Sequence, residues 1–199
     1  MKNLFLALTI GLAAMGCRDR EKEAEDQLPP ITQTGANTAG CLVNGKVLIP
    51  KNGSQNFGGP PAYGLKSLQG DDFWPNQDDW KVIKITNYIN SDKGELYIYI
   101  DNMKKGKGDY IIGQSDGEFF PYGPKNPHMI YRVIKNNNQL TYYSSDNCGI
   151  INFTKADLMY GVSLYSGTFF ATLYNKDNPL DKIQITEGRF DINNLTLNK

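Results

Sequence analysis

The sequence is poor in the groups that most enzymes and metalloproteins rely on. Of 199 residues one is histidine and three are cysteine, and 21 Lys and Arg are balanced by 21 Asp and Glu. So few nitrogen and sulfur donors disfavour zinc and other transition metals, and no metal or cofactor is expected. The absence of net charge removes any electrostatic reason to expect a nucleic-acid partner. A Ser-His-Asp triad could be drawn through His128, but no Gly-x-Ser-x-Gly elbow occurs, and His128 directly precedes the strand-like Met129-Ile130-Tyr131. It reads as a histidine at a strand start. The chain has the length of one globular domain, large enough to bury a core without help from cross-links.

Long apolar runs are also scarce. The twelve residues Leu4 to Met15 would rise about 18 Å as a helix, short of the roughly 30 Å needed to cross a bilayer. With Lys2 before it and small residues after it, the run has the layout of a secretory signal. Its end, Ala14-Met15-Gly16-Cys17, resembles the lipobox of bacterial lipoproteins. That resemblance implies a signal peptide over residues 1–16, a mature chain beginning at Cys17, and acylation of that cysteine. Each buried CH₂ contributes about 0.8 kcal/mol, so two or three acyl chains hold a protein on a membrane. The expected location is the outer membrane. Residues 17–39 then form a tether. Eight of the nine residues from Arg18 to Asp26 are charged, and Leu28-Pro29-Pro30 is stiffened by its prolines.

From Cys41 onward period-two alternation dominates, and residues 40–199 are expected to form an all-β domain. Cys41 to Ile49 carries Asn44-Gly45 between β-formers, the signature of a tight type I′ hairpin. Trp80 to Tyr88 and Glu95 to Asp101 read as paired strands, with Leu96, Ile98 and Ile100 on one face and Tyr97 and Tyr99 on the other. Met129 to Ile134 and Gln139 to Tyr143 form another hairpin, with shorter strands at Tyr110 to Ile112 and Ile150 to Phe153. In the last pair, Gly167 to Leu173 and Ile183 to Ile192, the apolar phase slips, which predicts a bulge near Gly188. Lys51 to Asp79 reads as loops, and Thr154 to Asp157 hints at a helix cap. About nine antiparallel strands give a β-sandwich, with a calycin-like β-barrel as the alternative.

Three segments, Asn37 to Val47, Ser166 to Phe169 and Ile185 to Asp191, resemble a Bacteroidetes outer-membrane lipoprotein family, a domain of unknown function. The resemblance implies an envelope lipoprotein with a β-rich fold, and it supplies no reaction and no catalytic residue.

The candidate binding segment is Gly70 to Trp80, where Phe73, Trp74 and Trp80 lie among Asp71, Asp72, Asn76, Gln77, Asp78 and Asp79. Aromatic faces can stack sugar rings while Asp72 and Asp78 fix hydroxyls, so a glycan or other small ligand is the class this segment suits. The plainer alternative is that β-proteins spend aromatics on packing and that Trp80 plugs the end of a core. The carboxylates lack the spacing of a calcium loop. An enzyme is not expected, and the alternative is a hydrolase whose acidic residues the sequence does not identify. With Cys17 acylated, Cys41 and Cys148 remain as a pair in an oxidising compartment, which predicts a disulfide. It would close a loop of about 107 residues and add about 4–5 kcal/mol at most. The leading expectation is a lipid-anchored, non-enzymatic binding or assembly module whose partners are the membrane and a glycan or envelope protein.

Overall fold

A computed structural model describes residues 27–54, 59, 61–70, 80–89, 94–135, 137–157 and 164–199. These contain ten strands: β1 Thr38–Val43, β2 Lys46–Leu48, β3 Leu65–Gln69, β4 Lys81–Thr86, β5 Gly94–Ile100, β6 Gly108–Ile111, β7 His128–Lys135, β8 Asn138–Asp157, β9 Leu164–Asn175 and β10 Lys182–Asn193. Apart from one short 3₁₀ turn at Met103–Lys105, the described residues hold no helix. All the strands pair antiparallel in one sheet, ordered β2-β1-β10-β9-β8-β7-β5-β4-β3, with β6 attached to β8. The sheet curls into a half-barrel, so the all-β antiparallel expectation holds, with hydrogen bonding continuous around the curve.

Local chemistry accounts for most of the pairing. Asn44 and Gly45 both take positive φ, 47° and 78°, as a type I′ turn requires, and they set Val43 opposite Lys46. On β5, Leu96, Ile98 and Ile100 point into the curl and are fully buried with Ile83 and Ile85 of β4. The β9–β10 register shifts between Ile185 and Gly188, where Glu187 has φ 50°, which is the bulge that the phase slip requires.

Several segments depart from the sequence reading. The loop-like stretch from Lys51 contains strand β3, whose Leu65 alone turns fully inward. An edge strand of five residues with one buried side chain leaves almost no alternation to detect. Thr154 to Asp157 is not a helix start but the end of β8, which runs for 20 residues. β8 can be that long because it changes partner: it pairs with β7 up to Tyr143, shifts register between Ser144 and Gly149, and then pairs with β6. The chain from Thr32 to Ala36, assigned to the tether on composition, is fastened to β10 through Asp191.

The seam of the half-barrel is bridged. The hydroxyls of Ser67 on β3 and Tyr165 on β9 are hydrogen-bonded, Asn194 Nδ2 donates to Gln69 Oε1 at 2.8 Å, and Asn198 Nδ2 donates to the Leu65 carbonyl at 2.8 Å. Elsewhere along the seam, Lys51 after β2 pairs with the end of β4, its N–H donating to the Thr86 carbonyl at 3.0 Å. Outside the curl, residues 112–127 fold over β4, β5 and β7. There Phe119 packs with Val82, Tyr97, Tyr99 and Ile130, and the Phe120 N–H donates to the Tyr97 hydroxyl at 2.9 Å. Both faces of β5 are therefore buried.

Candidate functional site

A pocket of about 460 Å³ opens where the β1–β2 hairpin faces the inner side of β7. Val43, Val47, Leu48, Val133 and Ile183 supply aliphatic walls, Tyr131 and Tyr142 add rings, and Lys46 and Lys135 stand with Asn44 and Asn87 among the lining residues. The position follows from strand phase. Tyr131, Val133 and Lys135 alternate on the inner face of β7, and the first two are buried while Lys135, at the strand end, is exposed. Lys46 stands at the start of β2, immediately after the Asn44-Gly45 turn. The Tyr142 hydroxyl donates to Asp181 Oδ2 at 3.0 Å, and Asn175 Nδ2 donates to the same oxygen at 2.8 Å. Burial raises the Tyr142 pKa, and the Asp181 carboxylate adds to the shift, so the ring stays a neutral donor. Among the described residues the lining holds no carboxylate, histidine, cysteine or serine. It can hold a small molecule, and its described lining offers no hydroxyl or thiol of serine or cysteine and no carboxylic or imidazole acid–base pair.

Elsewhere in the fold the buried polar side chains include Lys81 and Asp191. Lys81 of β4 is 2% exposed, its Nζ donating to Gln69 Oε1 at 3.1 Å and sitting 3.1 Å from the centre of the Tyr165 ring. Burial lowers its pKa from 10.5 to about 6. Asp191 of β10 is 1% exposed. It accepts from Thr32 Oγ1 at 2.6 Å, Ser166 Oγ at 2.7 Å, and the N–H groups of Gly35, Thr34 and Ala36 at 2.8, 3.0 and 3.2 Å. Burial alone would raise its pKa. The hydrogen bonds from Thr32, Ser166, Ala36 and Gly35 outweigh that and hold it well below the ordinary carboxylate value. Both groups serve closure: Lys81 with Gln69 and Tyr165 at the seam, Asp191 for the incoming chain.

The residues singled out from sequence fare differently. Cys17, Asp72, Phe73, Trp74 and Asp78 lie outside the described residues. Trp80 does not present an open ring. Its indole stacks on Phe120 with centroids 3.7 Å apart, and it lies over Gly70, where a Cβ would come within 2.0 Å of the indole Nε1. Tyr99 is a further stacked neighbour at 6.5 Å. Trp80 thus packs, half-buried, with the aromatic cluster outside the curl.

The expected disulfide is not formed, and Cys41 and Cys148 are free thiols. Cys41 is on β1 and Cys148 on β8, with β10 and β9 between them in the sheet. Three strand spacings amount to about 14 Å along the sheet, whereas a disulfide needs Cα atoms within about 7 Å. Burial pushes the Cys41 thiol up to about 12, and burial is also the first cause of the raised Cys148 value. His128 begins β7 as expected. Its Nδ1 hydrogen-bonds the Asn126 carbonyl at 2.8 Å, and its ring stacks on Tyr99 at 5.0 Å. Burial lowers its pKa, against smaller upward pulls from Asn126 and Asp116.

Sequence reasoning missed the pocket, Lys81 and Asp191. Lys81 had one local signal: it shares strand phase with Ile83 and Ile85, which places an ammonium on the inward face. The pocket had no local signal, since its walls come from strands far apart in the chain. No family model matches the sequence, and neither a curated protein nor a solved structure shows significant similarity to it.

Proposed function

We propose that this protein is a lipid-anchored, non-enzymatic module of the cell envelope that binds a small molecule in the seam pocket. The observation that carries the binding part is the pocket itself. At about 460 Å³ it falls within the roughly 300–1,000 Å³ span of small-molecule sites, and its lining is aliphatic and aromatic with few polar groups. The absence of a carboxylate, histidine, serine or cysteine from its described lining supports binding over hydrolysis. The anchoring part rests on sequence: the lipobox-like Ala14-Met15-Gly16-Cys17, the charged stretch after it, and the resemblance to outer-membrane lipoproteins.

Binding is tested by NMR titration with 1-octanol, an uncharged apolar probe. Shifts confined to Val43, Val47, Leu48, Val133 and Ile183 are expected, and their absence rejects the pocket. Anchoring is tested with labelled palmitate. Cys17→Ser is expected to abolish labelling and processing, and a variant still cleaved and still membrane-bound after high-salt washing rejects the anchor. The glycan reading keeps a narrower footing. Phe120 and Tyr122, 39% and 83% exposed, stand on the loop that packs against Trp80. A glycan-array signal lost in Tyr122→Ala but kept in a pocket variant would move the site there.

A further inference from the structure

We propose that the ligand of the seam pocket is an amphipathic anion: an apolar body carrying one negative head group. This rests on the reading of the pocket as a binding site and adds the chemistry of its occupant. Apolar walls reward burial of a chain at roughly 25 cal/mol per Å², without direction or specificity. The polar residues then decide which molecules the pocket admits.

Two of the four polar lining residues are lysines, and none of the described ones is acidic. Lys46 and Lys135 are both exposed, at the start of β2 and the end of β7, each next to its hairpin turn. Neither forms an ion pair with a described residue, whereas Lys84 pairs with Glu95 at 2.7 Å and Lys155 with Asp157 at 3.6 Å. The carboxylate linked to the pocket through the Tyr142 hydroxyl, Asp181, is not itself among the lining residues and also accepts from Asn175. Two ammonium groups beside one cavity with no described carboxylate in its lining give the site a positive bias that an anionic head group meets favourably. Their four-carbon stems are long enough to lie along the aliphatic rim while the charged ends reach a head group in water. A cationic amphiphile meets the same charges as a penalty, which gives the pocket a sign preference.

Three probes with the same eight-carbon chain separate chain from charge: octanoate, 1-octanol and octylammonium. Each is titrated by calorimetry into the full chain carrying Cys17→Ser, so that no acyl group of the protein competes. Octanoate is expected to bind at least about tenfold more tightly than 1-octanol, and octylammonium more weakly than either. The double variant Lys46→Gln/Lys135→Gln is expected to reduce octanoate to the affinity of 1-octanol while leaving 1-octanol within about twofold. Both changes lie at exposed strand ends, and a matching circular dichroism spectrum and melting temperature confirm that the variant is folded. Equal affinity for octanoate and 1-octanol in the unaltered chain, or an octanoate preference that survives the double variant, overturns the charge assignment while the pocket stands. Failure of all three probes to bind overturns both.

Discussion

Lys81 offers a quantitative check on how the half-barrel closes. In the unfolded chain its amine binds a proton up to about pH 10.4. In the fold it is 2% exposed, with Gln69 and the face of Tyr165 as its polar neighbours, and burial brings its pKa to about 6. Folding at pH 7 therefore sheds a proton that the unfolded chain keeps. A lysine lowered in this way destabilises the fold fully below about pH 6, progressively less as pH rises, and hardly at all above 10.4. At about 1.4 kcal/mol per pH unit the interval from 7 to 10.4 corresponds to about 5 kcal/mol. The neutral amine keeps its Gln69 hydrogen bond, worth about 1 kcal/mol, and a volume-conserving replacement in a packed site costs about 1 kcal/mol. Lys81→Met replaces the amine with an unbranched side chain of similar reach and no charge to desolvate. It is expected to increase unfolding free energy by about 2–3 kcal/mol at pH 7 and, since about 4 kcal/mol of the penalty disappears between pH 7 and 10, to lower it by about 1–2 kcal/mol at pH 10. Urea titrations at pH 7, 8.5 and 10, followed by tryptophan fluorescence, measure this directly. A Met variant less stable than the parent at pH 7, or a gain of the same size at pH 10, would show that the buried amine carries no such penalty.

Other changes probe the remaining parts of the fold. Asp191→Asn keeps the shape of the side chain but sets an amide against six donors, and is expected to cost about 3–5 kcal/mol in urea at pH 7. Because the folded pKa of Asp191 is depressed, its contribution is complete above about pH 4 and lost as pH falls further, so the gap between parent and variant must narrow in acid. A gap that stays constant down to pH 2 refutes the assignment. In protein unfolded without reductant, alkylation should find two thiols, Cys41 and Cys148, and in the native state the half-buried Cys148 should react before Cys41. Mass spectrometry showing a linked pair would restore the disulfide. Trp80→Ala removes the stack on Phe120 and Tyr99 and should lower stability by about 2–3 kcal/mol in urea, and a loss below about 0.5 kcal/mol would mark the ring as a free platform after all.

Strand and turn chemistry act over a few residues, and at that range the sequence was sufficient. Alternation placed Leu96, Ile98 and Ile100 together, Asn44-Gly45 made the first hairpin, and the phase slip before Phe190 located the bulge, because each signal is complete within one strand or one turn. The curvature of the sheet had no such local record. Only the closed fold brings Ser67 to Tyr165, 98 residues away, and Thr32 to Asp191, 159 residues away. Those closures turned the loop-like β3 into an edge strand and part of the tether into docked chain. They also buried Tyr97 and Tyr99, which alternation assigned to an outer face, beneath residues 112–127. The seam pocket belongs to the same class, since β1, β2, β7, β8 and β10 each contribute to its walls. Its chemistry and the environments of Lys81 and Asp191 were decided by tertiary structure alone. A side chain's phase within a strand fixes which way it points, whereas desolvation and charge depend on what the rest of the chain places opposite it.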